Sequence, residues 1–438
     1  MPSSSTACST AATSAIGRGP DRVHFRAVTI LRPVRWLKRG DATPIAGSPI
    51  AFASMDGGQG SAARGALLLP RDIDDELQTE LAREIKALLK AGVIALGEAE
   101  FLVLEEQFTR LGTAEARVRR SLLARLRIAG DGAARVLQHE KVFAHAIADR
   151  VRVNLETRLS IAPLLLTYRD ISGDVERALS AATPRGDFVD TMGVRVRVSA
   201  LRAADASESL SRALAGLSFV IADGHHRYAA AVQTVDALDA AKERSVSDDE
   251  AYVLALLVEE TDPGLVIEPT HRLLHGIEGF SFESLLAKIS PWVSAQSADR
   301  LEAPQSGAVL AVLPGGARWL LRPKSPEVLR EHPVVSASAP ACHGLDVAWL
   351  HAVIIKGALG LEPGTPAWRA HVRFLTGELR PELVAQVAKG NALFVVASPP
   401  PGVIRAVAEA ADTLPQKSTA YHPKAPAGLT LHFLGTDL

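Results

Sequence analysis

The chain is short of cysteine, of aromatic residues and of net charge, and each shortage excludes something. Its 438 residues include two cysteines, Cys8 and Cys342. That rules out a disulfide scaffold and any four-cysteine zinc or iron–sulfur site. Aromatic residues make up 5%, which argues against a platform stacking the bases of single-stranded nucleic acid. With 48 basic and 49 acidic side chains the formal net charge is -1, so nothing advertises a polyanion partner. No uncharged apolar run approaches the roughly 20 residues of a membrane helix. The first twenty residues have no apolar h-region, so no secretory signal is read there. They carry no acid before Asp21, a weak transit-peptide feature. The simpler reading is a disordered tail over residues 1–22. What remains is a cytoplasmic enzyme or binding protein.

The chain has 47% hydrophobic residues, mostly Ala, Leu and Val, and a length that favours two domains. Residues 72–91 read as an amphipathic helix. Ile73, Leu77, Leu81, Ile85, Leu88 and Leu89 fall near helical spacing, with Asp72 as its cap and Gly92 as its stop. Strands are expected at 101–108, 121–128, 163–168, 218–222, 252–259 and 392–397, and Pro314-Gly315-Gly316 marks a hairpin. Helices are expected over 139–150, from His225 to about Lys242, over 281–289 and 345–359, and from Pro401 to about Leu414. The mixture predicts an α+β (mixed α/β) fold.

The sharpest chemical signal is Asp223-Gly224-His225-His226-Arg227, where an apolar run turns directly into a helix. Free N–H groups at a helix start make an anion site, and Gly224 lets a ligand approach the backbone. Three basic residues in a first turn oppose the helix dipole and are easier to explain with an anion among them. Arg227 suits phosphate oxygens, and Asp223 suits a magnesium ion that bridges phosphates. The plain alternative is an Asp cap followed by surface histidines.

A second cluster is His139-Glu140-Lys141 with Asp149-Arg150, read on one helix as either a solvated ion-paired face or a base with phosphate-facing cations. A third is Lys417-Ser418-Thr419, which ends like a P-loop but lacks the glycines before it. Gly58-x-Gly60 is a poor dinucleotide fingerprint, because Pro70 comes before a long helix can form. His271 and His275 have metal-ligand spacing without a matching acid or cysteine. Cys342-His343 is a poor nucleophile pair.

Taken in order, these motifs resemble domain-of-unknown-function family ten-fifteen. The resemblance rests on His139-Glu140-Lys141, Asp149-Arg150, Leu166-Thr167-Tyr168-Arg169-Asp170, Ile221 to Arg227 and Pro269-Thr270-His271-Arg272. It continues through Leu414-Pro415-Gln416-Lys417-Ser418-Thr419 and Tyr421-His422-Pro423-Lys424 to Gly428-Leu429, so it covers the chain from about Phe25 onward. The Asp-Gly-His-His-Arg turn is similar to the phosphate-binding turn of the ParB/sulfiredoxin superfamily, which includes nucleotide hydrolases and free serine kinases. The resemblance implies a ParB/sulfiredoxin-like core over 23–275 and a C-terminal α/β region over 276–438 carrying the Lys-Ser-Thr loop. Sulfiredoxin's cysteine would stand where His225 is, so sulfinic acid repair is not implied. Val142 replaces a family threonine, and Ser48-Pro49-Ile50 stands where the family has Pro-Pro-Tyr-Asp.

The expectation is a nucleotide-dependent phosphotransferase acting on a small hydroxylated metabolite such as free serine, using ATP or ADP with magnesium. Gly224, His225, His226, Arg227, Lys141, Ser418 and Thr419 would hold the nucleotide. Asp223 would hold the metal, and Glu140, His226 and Lys417 would carry catalysis. The rival readings are a non-catalytic nucleotide or phosphometabolite sensor and a ParB-like DNA-binding protein. Neutral charge and the absence of a basic recognition helix argue against the latter.

Overall fold

Alternate residues of one strand build opposite faces of the main sheet. Phe101 and Val103 join one buried cluster, Leu102 and Leu104 another, as the two-residue period of a strand requires. The strand Tyr252–Glu259 is apolar from Tyr252 to Val258 because both of its faces are covered. The computed structural model describes residues 30–39, 52–54, 65–240, 249–338 and 340–435. Among these the largest sheet has ten strands. Its central part runs Arg195–Arg202, Ile94–Thr109, Ala116–Arg127, Tyr252–Glu259, Leu164–Tyr168, Ser218–Asp223. Most pairings are antiparallel. Tyr252–Glu259 with Leu164–Tyr168 is a parallel pair, so the sheet is mixed, and the fold is mixed α/β.

Val175, Leu179, Leu210 and Leu214 from the helices Asp174–Leu179 and Ala203–Leu214 cover one face. The helices Asp75–Lys90, Ala144–Thr157 and His225–Ala240 pack in sequence beside it. A second, six-stranded antiparallel sheet begins at Thr270–Leu274 and includes the hairpin Val309–Val312 with Arg318–Pro323 at Pro314-Gly315-Gly316. After that sheet the chain returns to the first. Tyr421–His422 pairs with Val266–Ile267, the Leu37 N–H donates to Leu429 O at 3.2 Å, and His432–Phe433 pairs with Leu159–Ser160. The change of sheet therefore falls at about residue 270, and the segment after Leu414 lies against both sheets. No helix among the described residues is long and apolar enough to cross a membrane.

Four local readings need correction. The first helix starts at Asp75, and its cap is Asp74, whose carboxylate accepts the Leu77 N–H at 2.9 Å; Asp72 lies outside it. His139-Glu140-Lys141 is not helical. Leu414 N–H donates to His139 O at 2.7 Å and Glu140 bridges Leu414 in parallel register, which holds the segment extended until the helix begins at Ala144. The helix from Pro401 stops at Glu409, and Ala411 turns left-handed at φ 54°. His271 and His275 sit on and just past a strand rather than on a helix, which spreads their Cα atoms by roughly 13 Å and removes the metal-ligand spacing. The tail over residues 1–22 and Gly58-x-Gly60 lie outside the described residues.

Candidate functional site

Strand Ser218–Asp223 passes into helix His225–Ala240 through a single residue, Gly224. Its φ of +104° belongs to the region that disfavours side chains, and an added Cβ would lie 2.7 Å from Leu164 Cδ2. The turn is locked from below by Arg227. Its guanidinium donates to Pro163 O at 2.9 Å, to Ala162 O at 3.3 Å and to the Asp223 carboxylate. Arg227 is thus committed to holding the turn, and the open N–H groups belong to the first helical residues.

Facing the turn is Glu140. Burial raises its carboxyl above the ordinary value, the Asp223 carboxylate adds to the rise, and Lys417 and Arg272 oppose it. Lys417 approaches through its charge and through its backbone N–H, and its φ of 55° is left-handed, a strained state that the surroundings must enforce. Arg272 does the enforcing. This fully buried side chain donates to Gln416 O at 3.1 Å, Lys417 O at 3.0 Å, His351 Nε2 at 2.9 Å and Thr270 O, and its guanidinium lies 5.1 Å from the centre of the Phe374 ring. Desolvation lowers its pKa to about 9.

The histidines are neutral and mostly structural. His225 is buried, with its pKa lowered to about 3 by desolvation and by His226, and it meets the His139 ring edge-on at 4.5 Å. His139 in turn contacts Thr419 Oγ1 through Nε2 at 3.2 Å. His226 accepts the Phe143 N–H on Nε2 at 3.1 Å and stacks on that ring. With that lone pair occupied, the neutral ring carries its proton on Nδ1 and is a donor there rather than a base. Burial is the main cause lowering its pKa, followed by Arg150.

Glu140, Lys417, Thr419 and the turn from Asp223 to Arg227 line one cleft of about 710 Å³ between the two sheets, a size typical of small-molecule sites. Thr270, Phe374 and Thr376 form the second-sheet wall, and Arg71, Ile73 and Lys424 also line the cleft. Five cationic side chains, Arg71, Arg150, Arg227, Lys417 and Lys424, line it against three carboxylates, Asp72, Glu140 and Asp223. The balance suits an anionic ligand.

The sequence matches the profile of a protein family of unknown function, DUF1015, over residues 66–348. The chain belongs to this family. The matched range ends before Leu414, yet the Lys417 loop shares the cleft with motifs inside that range. No curated protein matches the chain. Among solved structures, a free serine kinase in complex with AMP is similar at 10% identity over 68% of this chain and 89% of that one, with a TM-score of 0.36. A mutant of free serine kinase in complex with ADP gives 11% identity with the same coverages and TM-score. SbnI from Staphylococcus aureus with a C-terminal truncation gives 13% over 71% and 87%, at a TM-score of 0.37. Likenesses this distant carry no argument about the DUF1015 chain.

Of the residues singled out in this DUF1015 sequence, Asp223, Gly224, His225, His226, Arg227, Glu140, Lys417 and Thr419 line the cleft together. Lys141 and Ser418 do not. Lys141 is exposed, and the Ser418 hydroxyl donates to Pro415 O at 2.6 Å, which shapes the loop from within. Cys342 and His343 do not pair. The thiol donates to Asp412 at 3.2 Å and burial pushes its pKa up to about 12. Sequence reading missed Arg71 and the roles of Arg272 and Phe143, because each is defined by partners far along the chain.

Proposed function

We propose that the cleft is the active site of a nucleotide-dependent phosphotransferase acting on a small hydroxylated metabolite. The observation that carries this reading is a helix N-terminus at Gly224–His226 facing a half-buried Glu140, its carboxyl raised by desolvation, and the Lys417 ammonium across one cleft. The helix start and Arg150 would hold phosphate oxygens. Glu140 would take the proton of the acceptor hydroxyl, as a carboxylate raised toward neutrality can. The new bond runs from the acceptor oxygen to the terminal phosphorus, the bond to the bridging oxygen breaks, and the shortened nucleotide leaves with Lys417 offsetting charge. His226 would donate from Nδ1 and not act as base.

Magnesium fits the donor set in its usual sparing way, through one or two carboxylates with phosphate and water completing the shell. Glu140 and Asp223 feel each other's charge, and Arg227 engages one oxygen of Asp223. Among the described residues no group of three His, Cys, Asp or Glu could cage a metal unaided. When bound with nucleotide, the ion would neutralise charge developing on the phosphates.

A thermal-shift panel of ATP, ADP, AMP, GTP and phosphate with magnesium tests the reading on wild type and Lys417→Met. Lys417 is preferred to Arg227, whose removal would unlock the turn itself. A nucleotide that stabilises wild type and not the variant supports the site by native-state linkage. Phosphorus NMR with hydroxylated metabolites then separates transfer from binding alone. Binding without turnover across such a panel favours the sensor reading, and no nucleotide effect at all sinks the phosphotransferase.

A further inference from the structure

The cleft lining includes an arginine with one nitrogen unused. Arg71 is 7% exposed. Its Nε donates to Asp190 at 2.5 Å, and its Nη1 donates to Glu106 at 2.7 Å and to Lys424 O. Nη2 is buried and has no hydrogen-bond partner. Buried donors are nearly always satisfied, and a guanidinium nitrogen left over beside a cleft calls for an acceptor. Arg71 lines the same cleft as Glu140 and Asp223.

The guanidinium is held in place. Glu106 is shared with the fully buried Arg119, at 2.9 and 2.7 Å, and Arg119 fixes the neighbouring segment through Pro423 O at 2.6 Å. Asp190 and Glu106 are both buried. The ordering cost of the donor is met within the protein, so a ligand that reaches it does not bear that cost again. Beside it stands Lys424. Its ammonium is 2.7 Å from Asp72, but the two side chains are 36% and 84% exposed, so that pair is screened and readily exchanged for a ligand.

We propose that Arg71 Nη2 and the Lys424 ammonium form a second subsite that binds an anionic oxygen of the acceptor. The acceptor class is then a small hydroxy acid, its carboxylate at Arg71 and its hydroxyl directed toward Glu140. This deepens the phosphotransferase reading and rests on it for the role of the bound molecule, though not for the binding. Two charged donors favour a carboxylate over a neutral hydroxyl.

The test uses the full chain with matched probes: glycolate, glycerate and tartrate against ethylene glycol, glycerol and threitol, titrated by calorimetry with and without ADP and magnesium. At least one acid is expected to bind tenfold or more tighter than its neutral partner. Lys424→Met, at an exposed position, and Arg71→Lys, which keeps the charge toward Glu106 but offers no second nitrogen, are each expected to erase that preference. Affinity for ADP should change less than twofold in Lys424→Met. Acids and neutral partners that bind alike, or no acid binding in protein that binds ADP, would overturn the subsite and leave the nucleotide reading standing. Acid preference in protein that ignores every nucleotide would keep the subsite and remove the phosphotransferase.

Discussion

At the scale of single residues, Gly224 and Glu140 decide the most. Gly224→Ala adds a Cβ at φ +104° against Leu164. A cost of about 1–3 kcal/mol is expected from such strain, with ligand stabilisation lost because the turn must open; urea titration and thermal shift read the two effects. Glu140 sets opposite demands on activity and stability. Its raised carboxyl means that the folded state holds a proton above the ordinary value of 4.5, where the unfolded state has lost it. Stability therefore falls as pH rises through the interval between 4.5 and the folded value. Glu140→Gln should match or exceed wild type in melting temperature near pH 7.5 while transferring no phosphoryl group. A variant that melts clearly lower would contradict the burial account. In wild type the acid limb of kcat/KM should lie above the ordinary carboxyl range and vanish in the variant.

At the scale of elements, the segment from Leu414 to Lys424 has no regular structure beyond one short strand, and its shape is imposed by three arginines. Arg272 takes the carbonyls of Gln416 and Lys417, Arg119 that of Pro423, and Arg71 that of Lys424. Glu106 balances two of these cations at once. Glu106→Gln should cost roughly 3–5 kcal/mol, the range for breaking a buried charge cluster, and should loosen the segment enough to expose it to limited proteolysis. A variant with unchanged urea midpoint would show that the cluster is not an anchor. The same contrast explains which parts were legible in the sequence. The strand Tyr252–Glu259, the hairpin at Pro314-Gly315-Gly316 and the turn at Gly224 carry local signals of period or glycine placement. The anchors do not. Arg272 reaches Lys417 across 145 residues and Arg71 reaches Lys424 across 353, and an arginine so placed looks in sequence like any surface cation. The extended course of His139-Glu140 was hidden likewise, because Leu414 imposes it.

At the scale of the whole molecule, buried neutral histidines tie stability to pH. His225 is lowered to about 3, His271 and His432 to about 4, and His139 and His351 well below their ordinary value, all chiefly by desolvation. The unfolded chain binds protons at these rings below about pH 6.5 and the folded chain does not. Their contribution is fully present above that value and is lost as pH falls toward 4, each ring supplying at most about 1.4 kcal/mol per pH unit. The urea midpoint should drop steeply between pH 6.5 and 5, and His432→Gln should lessen the slope by one proton's worth. A flat profile over that interval would mean that the rings are charged in the folded state.

The return of the chain after its second sheet has a consequence for how the protein is made. Glu140, Asp223 and Arg272 leave the ribosome long before Lys417 and Lys424, and chains fold from the N-terminus as they emerge. Both sheets can thus assemble around a trough with one side missing. The cleft acquires its last wall only once residues 414–424 have emerged, so a nascent chain stalled before residue 414 would hold both sheets and be blind to its ligand.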